Sequence, residues 1–180
     1  DSNDVSCEET LCVHVRAGDI FCPNPNKWYT QPPLAYYICA INSLRERFGT
    51  TPLILVFEDW SNPVTTRLVE YLSRQGLKFE VNVNNDFLKD VETILKAKYL
   101  VTSKGTFGPA LSVLSMKKEA ITCFKRFNNS GFEYSSFATD TLLTFVDTKG
   151  KYMTRDWQNL AWQREMMVNY PIDAIELSDT

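Results

Sequence analysis

The residues best equipped for chemistry stand close together near the start of the chain, as His14, Arg16 and Asp19 in the segment HVRAGD. Alternate side chains of an extended strand share a face, so His14 and Arg16 point the same way. A guanidinium offers a planar fork of donors that matches a phosphate with two charge-assisted hydrogen bonds. Gly18 permits a sharp turn just after it. Asp19 is placed to orient Arg16, to cap the loop or to meet a substrate. An ordinary strand end with an exposed arginine and a turn aspartate fits the same spacing.

A second constellation is SKGTFGPA, residues 103–110, a strand–turn–helix pattern. A helix start presents free N–H groups and the positive end of the dipole, which suits phosphate. Ser103, Lys104, Thr106, Phe107 and Gly108 are the candidates there, Thr106 adding a hydroxyl. The phosphate-loop spacing that ends in Lys-Ser/Thr is absent, and plain capping by Ser103 or Thr106 fits equally well. Asp90 lies on a helix further upstream, where it is either a solvated surface carboxylate or an acceptor for the N–H groups of a guanine. Trp28 and Tyr29 follow the first motif and offer faces on which a sugar stacks, whereas Tyr36 and Tyr37 read as core and helix-surface residues. Asp19, Glu58 and Asp59, in that order, are the carboxylates placed to take a proton.

These residues need a scaffold, and the chain alternates short apolar runs with amphipathic stretches. Strands are predicted at Leu11 to Val15, Leu53 to Phe57, Leu77 to Val83, Tyr99 to Thr102 and Ala120 to Phe124, with an edge strand at Leu142 to Val146. Helices are predicted at Pro33 to Phe48, Pro63 to Gln75, Asp86 to Ala97, about Thr106 to Met116 and about Arg155 to Asn169, and a loop over 17–33. Trp157, Leu160, Ala161, Arg164 and Met167 recur at helical spacing in the last of these, which packs over the sheet or against a partner domain. The alternation predicts an α/β fold, a Rossmann-like parallel sheet with helices on both faces. Ligands of such sheets gather at the carboxyl ends of the strands, where His14, Arg16, Asp19, Glu58, Asp59 and residues 103–106 all fall.

Composition bounds the rest. The 180 residues suffice for one domain, expected to span 1–180 with a polar start over 1–9, which reads as a processed terminus, and a helix and tail over 150–180. A hydrophobic share of 44% against 23% charged is that of a globular chain. The net charge of −3 argues against a nucleic-acid partner. With one histidine and no CxxC pair among Cys7, Cys12, Cys22, Cys39 and Cys123, no zinc site is expected. Cys12 and Cys39 read as buried thiols, and Cys7 with Cys22 as the pair most open to oxidation. The triplet Asn128-Asn129-Ser130 is an N-glycosylation sequon, which with the cysteines leans toward a secretory compartment.

Taken in order, these segments resemble the GDP-fucose-dependent fucosyltransferase superfamily of α-1,2-, α-1,6- and protein O-fucosyltransferases. HVRAGD resembles its H-x-R-R-x-D element, and DVETILKAKYLVTSKGTFGPALSVLS its second signature. QPPLAYYICAI followed by LILVFEDWSNP fits the helix and strand between them, so the resemblance spans roughly 10–125. It implies the C-terminal, donor-binding half of a GT-B glycosyltransferase: an inverting enzyme that uses no metal or cofactor and moves fucose from GDP-fucose to a glycan or protein acceptor in the Golgi lumen. By that resemblance Arg16 binds the β-phosphate, and His14 and Asp90 meet guanine or its ribose. Thr106 and the amides of Phe107 and Gly108 hold phosphate oxygens, and Asp19 supports the Arg16 loop or approaches the acceptor. The sequence departs from the element at Ala17, where the family has a second arginine, so that contact is absent or falls to a residue such as Lys104. No segment corresponds to an acceptor-side domain. A module that binds a nucleotide sugar or glycan without turnover, and a plain α/β scaffold, are the other readings.

Overall fold

In the computed structural model, which describes residues 8–49, 51–84, 86–115, 118–125 and 139–178, the chain forms one seven-stranded sheet. The strands are β1 (Glu8–His14), β2 (Leu53–Phe57), β3 (Glu80–Val83), β4 (Ala97–Val101), β5 (Lys118–Lys125), β6 (Thr139–Asp147) and β7 (Ile175–Ser178). Their order across the sheet is β3-β2-β1-β4-β5-β6-β7. The first six run parallel and β7 is antiparallel to β6. This is the doubly wound Rossmann-like order, in which the chain moves outward from β1 to β3 and then crosses back to β4.

The helices are α1 (Leu34–Phe48), α2 (Pro63–Arg74), α3 (Phe87–Lys96), α4 (Phe107–Leu114) and α5 (Ala161–Asn169). Alternation along β1 divides the core. Leu11, Val13 and Val15 join α1, α2 and α5 in the larger cluster, with Tyr36, Leu68, Leu72 and Met167. Cys12 faces the other way, into a smaller cluster with Ile94 of α3 and Leu111 of α4. The parity that takes Cys12 to the α3–α4 face takes His14 there too.

Local chemistry fixes the helix starts. Pro63 opens α2 and the Asn62 side chain accepts from Val64 N–H at 2.9 Å. Asp86, where the sequence predicted the helix itself to begin, caps α3, accepting from Leu88 N–H at 3.2 Å. The far end of α3 is closed by a buried lysine. Lys118 Nζ donates to the carbonyls of Ile94 and Ala97, both at 2.5 Å, where a cation also meets the negative end of the helix dipole.

Several expectations are corrected. β6 is not an edge strand, because β7 covers its outer side with the pairing Phe145–Leu177. α5 begins at Ala161 rather than near Arg155, since Trp157 turns inward, fully buried, against Phe21 at 5.5 Å. β1 starts three residues early, at Glu8, and β3 is confined to Glu80–Val83. The 17–33 loop contains a 3-10 turn over Gly18–Phe21. Tyr37 is wholly buried, not on the helix surface. The sequon and Cys7 lie outside the described residues, and Cys12, Cys22, Cys39 and Cys123 are free thiols.

Candidate functional site

The crossover between β1 and β4 leaves a crevice at the carboxyl ends of the two strands. A small cleft, open to solvent, occupies it, lined by His14 and Arg16 on the β1 side, residues 103–108 on the β4 side, and Tyr29. The topology thus brings together seven of the predicted residues: His14, Arg16, Ser103, Lys104, Thr106, Phe107 and Gly108.

His14 forms the floor. It is 7% exposed, shares a 2.9 Å hydrogen bond between Nδ1 and Ser103 Oγ, and packs its ring 5.1 Å from that of Phe107. Burial lowers its pKa to about 4, with the charge of Arg16 adding to the effect, so the imidazole is neutral near pH 7. Ser103 is therefore occupied with His14 and does not cap α4. Thr106 stands at the N-cap position without a side-chain cap. The first amides of α4 are left uncapped by either side chain at the cleft wall, and Thr106 is exposed beside them.

Arg16 is engaged on its other side. Its Nη2 donates to Asp19 Oδ1 at 2.6 Å, and Nη1 lies 3.8 Å from Glu58 Oε1. Its Nε is buried with no hydrogen-bond partner among the described residues. The loop that carries Arg16 is tied to the β2–α2 turn at several points. Asn62 Nδ2 donates to Arg16 O at 2.7 Å, and Gly18 N–H donates to Ser61 Oγ at 3.0 Å. Gly18 has φ +66, a left-handed conformation that favours glycine, and a Cβ there would displace the Glu58 carboxylate beside it.

The three carboxylates differ sharply. Asp19 is 74% exposed and bonded to Arg16. Asp59 accepts from Ser61 N–H at 2.7 Å, and although burial pushes its pKa up, the bonds from Ser61 and Gly18 hold it below the usual range. Glu58 is half-buried, and burial raises its pKa against the pull of Arg16, with Asp19, Asp59 and Asp90 pushing it further up. All three carboxylates thus contact the loop that carries Arg16.

Two predicted residues, Asp19 and Asp90, are outside the cleft lining. Asp90 is on the first turn of α3, outside the cleft lining, though its charge is felt at Cys12 and Glu58. Ala17 is completely buried, so the position where a second arginine was sought faces protein and not the cleft. The positioning residues Asn62 and Gln31 were not foreseen. Gln31, 1% exposed, bridges the two walls by donating from Nε2 to Tyr29 O at 3.0 Å and Lys104 O at 3.4 Å. Only the Asn-Pro pair before α2 hinted at Asn62, and no local pattern marks Gln31.

A cleft with uncapped helix amides, one guanidinium and a neutral imidazole can hold a phosphorylated ligand at the crossover. No known family's sequence profile, no curated protein and no solved structure matches the chain.

Proposed function

We propose that this chain is the donor-binding domain of an inverting, metal-independent glycosyltransferase, which takes fucose from GDP-fucose to a glycan or protein acceptor. The observation that carries this reading is the uncapped start of α4 opposite Arg16 across the β1–β4 crevice. Segments of the sequence that resemble the fucosyltransferase elements supply both walls.

In that reading the diphosphate lies at the start of α4, against the amides of Phe107 and Gly108 and the Thr106 hydroxyl. Arg16, with its unpartnered Nε, lies on the other side. Cleavage of the glycosyl–phosphate bond puts negative charge on the leaving oxygen. Donors already in place stabilise that charge with little reorganisation, and losing one typically costs about 3–4 kcal/mol. His14, neutral and held by Ser103, offers a hydrogen bond to ribose or guanine without adding charge.

One observation favours a second reading, a module that binds the nucleotide sugar without turnover. Arg16 is shared between Asp19 and Glu58, which compete with a phosphate for it. Calorimetry with GDP and GDP-fucose tests both readings. Binding is expected, weakened at least tenfold by Arg16→Ala, and no binding, or binding indifferent to that change, rejects both. Release of GDP from GDP-fucose, to water or to a glycan, separates enzyme from module.

A further inference from the structure

Arg16 lines the cleft, yet its guanidinium is already engaged by two carboxylates, Asp19 at 2.6 Å and Glu58 at 3.8 Å. The two differ in kind. Asp19 is exposed on the same loop, where water competes for it. Glu58 comes from the end of β2, and its half-buried carboxylate is fixed in place. Its Oε2 stands where a Cβ on Gly18 would be, and its carbonyl accepts from Asn84 N–H at 3.2 Å. The turn that carries it is tied to the Arg16 loop through Ser61 Oγ, which accepts from Gly18 N–H, and through Asn62 Nδ2, which donates to Arg16 O. Glu58 is therefore held beside Arg16 by the fold itself. What can change is its charge.

We propose that Glu58 is a proton-operated gate on the cleft: as a carboxylate it holds Arg16 and repels an incoming phosphate, and as a carboxylic acid it releases Arg16 to the ligand. The proposal rests on the donor reading above, since it needs an anionic ligand beside Arg16. The charges acting on Glu58 come from three directions: Arg16 and Asp19 on the loop after β1, Asp59 in its own turn, and Asp90 on the first turn of α3. Burial raises its pKa above the ordinary value, Arg16 pulls the other way, and the three aspartates push it further up. A diphosphate bound at Arg16 adds negative charge beside Glu58 and takes away the one cation that favoured its ionised form. Both changes drive Glu58 to take up a proton. By reciprocity, a ligand whose binding takes up a proton binds more tightly as the pH falls. Two neighbours do not supply this response. His14 stays neutral down to about pH 4, and Asp59 is held below the usual range by its bonds from Ser61 and Gly18.

Calorimetry of the full chain with GDP-fucose tests the gate, because both of its phosphates are esterified and neither has the second ionisation near pH 6 of a terminal phosphate. The wild type is expected to bind about three- to fivefold more tightly at pH 5 than at pH 7.5, the scale of one solvent-screened ion pair. Binding heats in buffers of different ionisation enthalpy should show proton uptake, a measurement that needs no variant. Glu58→Gln should bind at pH 7.5 about as tightly as wild type at pH 5, without proton uptake, and a thermal melt checks that it is folded. Wild-type affinity indifferent to pH, or proton uptake that persists in Glu58→Gln, overturns the gate and leaves the donor reading standing. No binding of GDP-fucose at either pH, by wild type or by Glu58→Gln, rejects the donor reading, and the gate falls with it.

Discussion

His14 and Ala17, three residues apart, show how burial decides what a side chain does here. Burial takes the His14 imidazole from 6.5 to about 4, so folding releases a proton between about pH 4 and 6.5, where the unfolded histidine is charged and the folded one is not. Stability from this group is complete above about pH 6.5 and is lost as the pH falls from there toward about 4, a loss on the order of 3 kcal/mol. Thermal melts from pH 7.5 to 4 should show this decline in the wild type and a shallower one in His14→Asn. Ala17 gives the opposite lesson. Restoring the arginine of the resembled element by Ala17→Arg should not improve GDP binding. It should reduce the yield of folded protein, because a guanidinium would enter a fully buried position with no partner. Solubility and circular dichroism of the variant check this.

At the scale of elements, α3 depends on Lys118. Replacing it by methionine keeps much of the bulk but leaves the carbonyls of Ile94 and Ala97 without their donor. Lys118→Met should destabilise the fold by about 3 kcal/mol, given about 1.5–3 for each hydrogen bond to a charged group, read from urea denaturation. The elements best marked in the sequence were those with a local cause. LILVF is a strand because it is continuously apolar and buried, and α2 and α3 announce themselves through Asn62-Pro63 and Asp86. The cleft followed from topology, since strand ends had only to be placed side by side for His14 to meet Ser103. Elements made by distant partners left no local mark. β7 is four residues that become a strand by lying on β6, and Trp157 leaves the helical pattern to donate from Nε1 to Ile20 O at 2.7 Å. The same holds for the site. Glu58 acquires its character from the Gly18 turn packed against it, and Gln31 from a carbonyl 73 residues away.

Across the whole molecule, the segment before α5 reaches back to the turn that follows Arg16. Asn159 Nδ2 donates to the carbonyls of Phe21 and Cys22 at 2.6 and 3.0 Å, while its Oδ1 accepts from Arg164 Nε at 2.6 Å. The residue has φ +57, so Asn159→Gly keeps the backbone path and removes only the side chain. That variant should lose about 1–2 kcal/mol of stability and weaken GDP binding several-fold, while its far-ultraviolet spectrum stays unchanged. Calorimetry and a chemical denaturation series check both numbers.

The clamp made by Trp157 and Asn159 on the Gly18–Phe21 turn has a consequence for synthesis. The loop of Arg16 is tied to Ser61 and Asn62 as soon as the β2–α2 turn is made, but the turn that follows it gains its last ties from Trp157 and Asn159, 137 and 138 positions beyond their partners. A nascent chain halted after β6 already carries every strand of the parallel sheet, yet its Gly18–Phe21 turn still lacks the ties from Trp157 and Asn159. The turn beside Arg16 therefore reaches its final packing only once translation has passed residue 159.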